Sequence, residues 1–173
     1  SLVGSEMCIR DRFITVNEPQ KSKEGLARMH QLKLRYFTKL NEGWKEEEFP
    51  WNSKEFSTGH ATMDTLGRVI FASDRPGGLG GTDLYWTIWE DGHWSTPMNL
   101  GPTINSKGNE MFPFVSGSGD LYFASDGWPG LGGLDVFAMY NTSVAPENLL
   151  PPLNSSSDDF AFWINDANSK GYF

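Results

Sequence analysis

The stretch of sequence that decides the fold is FASDRPGGLGGTDLY, which occupies residues 71–85. A second copy, FASDGWPGLGGLDVF, occupies residues 123–137, so every shared position recurs after 52 residues. Each copy begins and ends with apolar residues and has a glycine-rich centre. An internal repeat of this length predicts an architecture built from similar supersecondary units.

The glycine-rich centre of each copy predicts a tight loop between two strands. Glycine adopts positive φ without the steric penalty that other residues meet, and it has no side chain to pack in a core. One aspartate opens each loop and another closes it, and their carboxylates suit loop N–H groups that have no strand partner. We assign to these structural repeat loops Ser73, Asp74, Gly77, Gly78, Gly80, Gly81 and Asp83, and Ser125, Asp126, Gly130, Gly132, Gly133 and Asp135.

The composition favours an all-β protein. The chain has 173 residues, of which 14% are aromatic, with 19 glycines and 10 prolines, a balance typical of short strands joined by tight turns. Its formal net charge is −8, which argues against a nucleic-acid partner, because phosphate binding needs clustered lysine and arginine. No run of 18 apolar residues is present, so the sequence predicts no transmembrane segment.

The N-terminal residues differ from the repeat. Residues 1–12 have the character of translated sequencing-adapter read-through, and we predict a non-native or disordered leader there. The only cysteine, Cys8, lies in that leader, so the remainder predicts no disulfide and no cysteine chemistry. Residues 13–31 are polar and irregular and predict a linker.

Strand and turn signals recur around the two loops. Residues 32–37 and 84–89 alternate with the period of a strand, and a turn that ends in glycine follows each of them. The predicted turns lie at residues 41–43, 64–67, 90–92 and 116–119. Four strands per period result, and they divide the chain into the end of one unit at 32–55, full units at 56–106 and 107–155, and the start of a truncated unit at 156–173.

A four-stranded antiparallel unit that repeats about every 50 residues predicts an arc of a β-propeller, incomplete at both ends. One such sheet, or blade, cannot bury both of its faces alone, so neighbouring blades must stack. Phe71, Phe123 and Phe173 occupy equivalent positions and are expected to fill the spaces between blades.

The signature Ser-Asp-x-x-Gly-Gly-x-Gly-Gly-x-Asp is specific, and other recurring segments accompany it. These are NS at 52–53, GHA at 59–61, NLG at 99–101, IN at 104–105 and NEMFPF at 109–114. Over residues 32–173 they resemble the WD-like propeller repeat of Gram-negative OmpA-family envelope proteins, some of which are outer-membrane lipoproteins associated with type IX secretion and gliding. The chain departs from that pattern at residues 64–67, where Asp-Gly is common, and at Ala61, where proline is usual.

The resemblance implies a non-catalytic scaffold on the periplasmic side of the outer membrane. In that family the propeller lies between TPR repeats and a C-terminal OmpA-like domain that binds peptidoglycan. Neither module, nor a lipobox cysteine, is found in these residues, so the resemblance implies a fragment that reaches peptidoglycan only through a missing OmpA-like domain. The expected partners are envelope proteins, and no cofactor is expected.

The sequence gives little support for catalysis. His30, His60 and His93 share no recurring spacing with a serine or a carboxylate, as a triad or dyad would require. Phe112 occupies the position equivalent to His60, so we expect a framework role for this histidine.

The alternative is a glycan-binding or hydrolytic propeller, sialidase-like or protease-associated, whose active residues lie outside this chain. Aromatic rings that could stack on sugars favour it. These rings belong to Trp86, Trp89, Trp94 and Trp128. Trp128 alone lies in a loop, and it is expected to be exposed.

The aspartates of the two loops suggest one further function, metal binding. Asp74 with Asp83, and Asp126 with Asp135, present oxygen ligands to Ca²⁺, but two carboxylates per loop fall short of the six or more donors that this ion usually takes. We therefore assign no metal site and keep Ca²⁺ as the alternative.

Polar pairs also recur at the starts of units, where they point into a central channel or, as we expect, bond to the backbone of a neighbouring blade. These blade-start residues are Asn109, Glu110, Asp158 and Asp159.

Overall fold

The computed structural model describes residues 11–20, 29–165 and 170–172, and these residues form an all-β protein. They contain fourteen strands and no helix, so no helix that could cross a membrane is found among them. The strands are β1 (Asp11–Gln20), β2 (Met29–Lys39), β3 (Trp44–Glu48), β4 (Thr58–Met63), β5 (Arg68–Ser73), β6 (Asp83–Glu90), β7 (His93–Trp94), β8 (Met98–Asn99), β9 (Glu110–Val115), β10 (Leu121–Ser125), β11 (Asp135–Met139), β12 (Glu147–Asn148), β13 (Trp163–Asn165) and β14 (Lys170–Tyr172).

The first sheet has the order β1-β2-β3 and corrects the predicted linker. β1 covers residues 11–20, and β2 begins at Met29, so much of the stretch at 13–31 is strand, as are the last two residues of the predicted leader. The polar character that suggested a linker has a structural use, because Glu18 on β1 forms ion pairs of 2.8 Å with Lys33 and with Arg35 on β2. The rest of the predicted leader, with Cys8, lies outside the described residues.

The second and third sheets share one plan. In the second, β4, β5 and β6 pair antiparallel, and β7 and β8 both pair with β6 along different parts of its length. In the third, the order is β9-β10-β11-β12. The registers correspond, since Ser73 pairs with Thr58 and with Asp83, as Ser125 pairs with Glu110 and with Asp135.

The four predicted turns are confirmed, because each lies between two paired strands of the structure. A fourth sheet consists of β13 and β14, which pair antiparallel. The expected blade-filling residue Phe173 lies outside the described residues.

Three hydrophobic clusters lie between successive sheets. Phe71 of the second sheet packs on Phe49, which follows β3, with ring centroids 5.4 Å apart. Phe123 of the third sheet belongs to a cluster with Ala72 and Leu84 of the second. Between the third sheet and the fourth, Tyr122 packs on Phe162 with centroids 4.9 Å apart. The sheets therefore stack face to face in chain order, and the second and third are covered on both faces.

Candidate functional site

Each glycine loop is closed by a buried aspartate that accepts hydrogen bonds from the loop itself. In the first loop, the backbone N–H groups of Leu79 and Gly80 donate to the carboxylate of Asp83, and the Gly80 bond is 3.1 Å long. In the second, those of Leu131 and Gly132 donate to Asp135 Oδ2 at 2.9 and 3.0 Å. These hydrogen bonds fix a turn whose N–H groups have no partner on a neighbouring strand.

The loop-opening aspartates have different partners from those we expected. Asp74 Oδ1 accepts from the backbone N–H of Ser57, at 2.6 Å. Asp126 accepts from both the backbone N–H and the side-chain amide of Asn109, at 2.6 and 2.8 Å. These carboxylates therefore hold the segment that leads into the first strand of their own sheet, and not the N–H groups of the glycine loop.

The reason for the glycines also differs from our expectation, since Gly77 is the only one of the loop glycines with positive φ, at 90°. A Cβ atom on Gly80 would lie 2.7 Å from the carbonyl oxygen of Ser106, and one on Gly132 would lie 3.0 Å from that of Ser155. Ser106 and Ser155 belong to the segments that lead into the following sheets. Close approach of that segment, more than backbone conformation, requires glycine.

The loops make the same junction with the following sheet twice. The backbone N–H of Thr82 donates to Asn109 Oδ1 at 3.1 Å, and the carbonyl of Thr82 accepts from the backbone N–H of Glu110 at 2.7 Å. At the next junction the backbone N–H of Leu134 donates to Asp158 Oδ1 at 2.9 Å, and its carbonyl accepts from Asp159 at 2.7 Å. The blade-start polar residues therefore bond to the backbone of the neighbouring sheet.

Glu110 is fully buried and is held inside its own sheet. Its carboxylate accepts from the hydroxyls of Ser106 and Ser125, at 2.5 and 2.7 Å, and from the backbone N–H of Ser106 at 2.9 Å. Asp159 repeats one of these bonds by accepting from the backbone N–H of Ser155 at 2.6 Å. A carboxylate that several donors saturate in this way serves structure, because few lone pairs remain for a substrate.

Three asparagines, which we call the asparagine clamps, were not identified from the sequence. Each clamp bonds both backbone groups of one strand residue, at 2.8 to 2.9 Å, through its amide oxygen and its amide nitrogen. The pairs are Asn52 with Leu34, Asn105 with Leu84, and Asn154 with Val136. The Asn-Ser dipeptide that recurs at 52–53, 105–106 and 154–155 is the signal that could have identified them.

Trp128 is half-buried, so the expectation that it is exposed is wrong. Its indole Nε1 donates to the carbonyl of Ile104 at 2.9 Å, and its ring packs against the cluster between the second and third sheets. In the first loop the guanidinium of Arg75 donates at 3.4 Å to the carbonyl of Trp51, the position equivalent to Ile104. Burial lowers the pKa of Arg75, and its charge lies over the rings of Phe56, Phe71 and Tyr85, at 4.9 to 5.2 Å.

The four tryptophans considered for sugar stacking do not share one surface. Trp86 and Trp128 pack against the cluster between the second and third sheets. Trp94 is buried in the cluster between the first and second sheets, where Trp89 contacts it with ring centroids 5.4 Å apart. Of the four, Trp89 is the one that presents an exposed ring, at 39% exposure.

The two histidines whose side chains are described lie in different surroundings. His60 stacks on Phe112 with ring centroids 4.0 Å apart, and burial lowers the pKa of His60. His93 is exposed in the β6–β7 hairpin, and nothing is described of the His30 side chain. The residues described contain no group of three or more histidine, cysteine, aspartate or glutamate side chains arranged to hold a metal ion.

No family model matches the chain, and no curated protein matches it. Its function is therefore inferred from the repeat and from the contacts described above.

Proposed function

We propose that the chain is an arc of a β-propeller that acts as a non-catalytic scaffold for protein contacts. The observation that carries this proposal is the junction made twice by Thr82 with Asn109 and Glu110, and by Leu134 with Asp158 and Asp159. Since each glycine loop contacts the start of the following sheet in the same way, further sheets can be added by the same rule. Serial addition of similar sheets is what a propeller requires.

A scaffold role fits the way in which the recurring polar residues are used. Asp83, Asp135, Asn109, Glu110 and Asp158 all accept hydrogen bonds from the protein's own backbone or side chains. Such bonds make the loops rigid, and rigid loops on a stacked-sheet framework are suited to recognition.

The loop tips offer apolar surface to a protein partner. Leu79 and Leu131 occupy equivalent positions in the two loops and are 47% and 48% exposed. Because the N–H group of each leucine is bonded to a buried aspartate, each side chain is presented from a fixed backbone. Apolar side chains on a fixed frame can dock without a large loss of conformational entropy.

We further propose that this scaffold belongs to an OmpA-family envelope protein on the periplasmic side of the Gram-negative outer membrane. The Ser-Asp-x-x-Gly-Gly-x-Gly-Gly-x-Asp signature of the first loop, which the second loop repeats with Pro129 in place of the first glycine, supports this assignment. Contact with peptidoglycan would then be made by an OmpA-like domain and not by the residues of these sheets.

Fractionation of cells that carry the gene, with an antibody raised against this chain, tests the assignment. Recovery of the gene product with the outer membrane and with purified peptidoglycan sacculi is the expected result. Recovery in the cytosol, or a gene product that joins these sheets to a hydrolase module, would overturn it.

A further inference from the structure

The asparagine clamps align the first three sheets position by position, because each clamp bonds one residue of an equivalent strand. The residue after each clamped one is therefore equivalent in the three sheets, and so is its partner on the paired strand. These two residues form a cross-strand pair on the face that points away from the following sheet, which we call the preceding face. The pairs are Ile14 with Arg35, Phe71 with Tyr85, and Phe123 with Phe137.

In the second and third sheets these pairs are aromatic and buried. The rings of Phe71 and Tyr85 stack with centroids 6.2 Å apart, and those of Phe123 and Phe137 stack with centroids 6.1 Å apart. All four side chains are buried, and they belong to the clusters that join each sheet to the one before it. Burial of an apolar pair at this position therefore stabilises the packing of one sheet on another.

The preceding face of the first sheet carries charge at the same position. Arg35 lies where the second and third sheets have a buried ring, and its partner Ile14 is 49% exposed. The guanidinium of Arg35 forms its ion pair of 2.8 Å with Glu18, and Glu48 lies directly across from Arg35 on β3. Charges of both signs, interspersed around an exposed isoleucine, are typical of a surface that contacts water.

A further sheet of the repeat would present an apolar surface to these charges. The opposite face of the second sheet, its following face, contains Ile70, Ala72 and Leu84, and that of the third sheet is likewise mostly apolar. Packing such a surface on Arg35 and Glu48 would remove both charges from water and would supply no new hydrogen-bond partner to either. The loss of hydration without compensation disfavours this packing.

We propose that the first sheet is a cap that ends the stack of sheets, because its preceding face is built to contact water and not another sheet of the repeat. A stack capped in this way extends only from its other end and cannot close into a ring by packing a further repeat sheet on the cap. The same mismatch opposes head-to-tail association of two copies, in which a following face would cover the charges. The property belongs to the face, whatever chain precedes β1, and it does not depend on the envelope assignment.

Labelling of single cysteines with a maleimide tests the cap, in the whole chain and in the complete gene product, with Cys8→Ser as the background. Ile14→Cys places a thiol on the preceding face of the first sheet, Val69→Cys places one in the cluster between the first and second sheets, and Leu66→Cys is the exposed control. We expect Ile14→Cys to react within about threefold of the rate of Leu66→Cys, and Val69→Cys about 100-fold more slowly. Peptide mass spectrometry locates the label. The ratios should not change in the gene product or at high protein concentration.

A double variant tests whether the charge is the cause. Ile14→Phe with Arg35→Tyr copies the pair of the second sheet, and sedimentation velocity should show self-association about tenfold tighter than that of the unaltered chain. Lys54→Tyr with Val144→Phe is the matched control, because it also removes one cation and adds the same two rings, at exposed positions outside the strands. Its association should equal that of the unaltered chain. If circular dichroism shows that the double variant does not fold, the labelling experiment decides the outcome.

Three results would overturn the proposal. One is protection of Ile14→Cys in the gene product to the level of Val69→Cys, which would mean that another sheet or a partner covers the face. Another is protection that appears as the concentration of the chain rises, which would mean that two copies pack there. The third is a folded double variant that associates no more tightly than the unaltered chain, so that the charge would not be what keeps the face free. Each can occur whether or not the gene product fractionates with the outer membrane.

Discussion

The second and third sheets have the same backbone plan but fill it with different side chains. His60 and Phe112 lie at equivalent positions of β4 and β9, and both have φ of 52°. Arg75 and Trp128 differ in chemistry, yet each donates a hydrogen bond to the carbonyl that precedes an asparagine clamp. The comparison teaches that contacts to the backbone recur, whereas the side chains that supply them vary.

The two loop-closing aspartates differ in the number of hydrogen bonds that they accept. Asp83 accepts a third bond, from the side-chain amide of Asn99 at 2.7 Å. The equivalent groups of the third sheet, Asp135 Oδ1 and Asn148 Nδ2, are buried without partners among the described residues. The first loop is therefore more fully bonded than the second.

The largest expected effect tests the equivalence of the two stacking phenylalanines. Phe71 and Phe123 are 0% and 1% exposed and each packs toward the preceding sheet, so either change to alanine should lower the free energy of unfolding by about 3 to 5 kcal/mol. Urea denaturation measures this quantity. Leu66→Ala is the control, because Leu66 is 68% exposed and its removal should change stability by less than about 0.5 kcal/mol. A loss below about 1 kcal/mol at Phe123 alone would show that the sheets do not stack equivalently.

The next prediction tests why the loops require glycine. Either the following sheet approaches too closely for a Cβ atom, or the backbone has a positive φ. Gly80→Ala and Gly132→Ala place a methyl group against backbone carbonyl oxygens of the following sheet and should each lower stability by about 3 kcal/mol. Gly92→Ala is the control, since Gly92 has φ of 81° and open space around it, and it should lower stability by only about 1 kcal/mol. Thermal and urea unfolding would both report the difference. Equal losses at all three glycines would contradict the junction.

A smaller effect distinguishes the two aspartates. In Asp83→Asn the new amide nitrogen must replace an oxygen that accepts a hydrogen bond, so stability should fall by about 2 kcal/mol. In Asp135→Asn the nitrogen can take the place of Oδ1, which accepts no bond, and the loss should be below about 1 kcal/mol. The two variants are compared by urea denaturation at neutral pH. The reverse order would show that the second loop carries the stronger bonds.

The smallest effect is a pH dependence of stability that one substitution should reduce. Burial lowers the pKa of His60 below its ordinary value of 6.5, so the unfolded chain takes up a proton at a higher pH than the folded chain does. Stability should therefore be complete above about pH 6.5 and decrease as the pH falls through the folded pKa. His60→Phe copies Phe112 and should reduce this decrease between about pH 7 and pH 5, as unfolding curves at several pH values would show. An unchanged pH profile would mean that His60 is not the responsible group.

Much of the fold follows from local patterns in the sequence. The predicted strands at 32–37 and 84–89 lie within β2 and β6, and the turns at 41–43, 64–67, 90–92 and 116–119 are confirmed. These features depend on alternation and on turn residues, which act within a few positions of the chain. Local chemistry is sufficient for them.

The features that the sequence did not predict depend on contacts between distant residues. β1 was interpreted as linker because Glu18 looks solvent-exposed until Lys33 and Arg35 on the paired strand are placed beside it. Trp128 was expected to be exposed because its acceptor, the carbonyl of Ile104, lies 24 positions away. The loop glycines were assigned to positive φ because the carbonyls that exclude a Cβ atom belong to the next sheet.

The asparagine clamps affect the order in which the sheets can fold. They join positions only 18, 21 and 18 apart, so each sheet can secure its own strand before the following sheet exists. Contacts of such short range favour fast folding, and N-terminal segments fold first during synthesis. Each sheet that has left the ribosome would then be folded before the next sheet is synthesised, and the next sheet would pack against it.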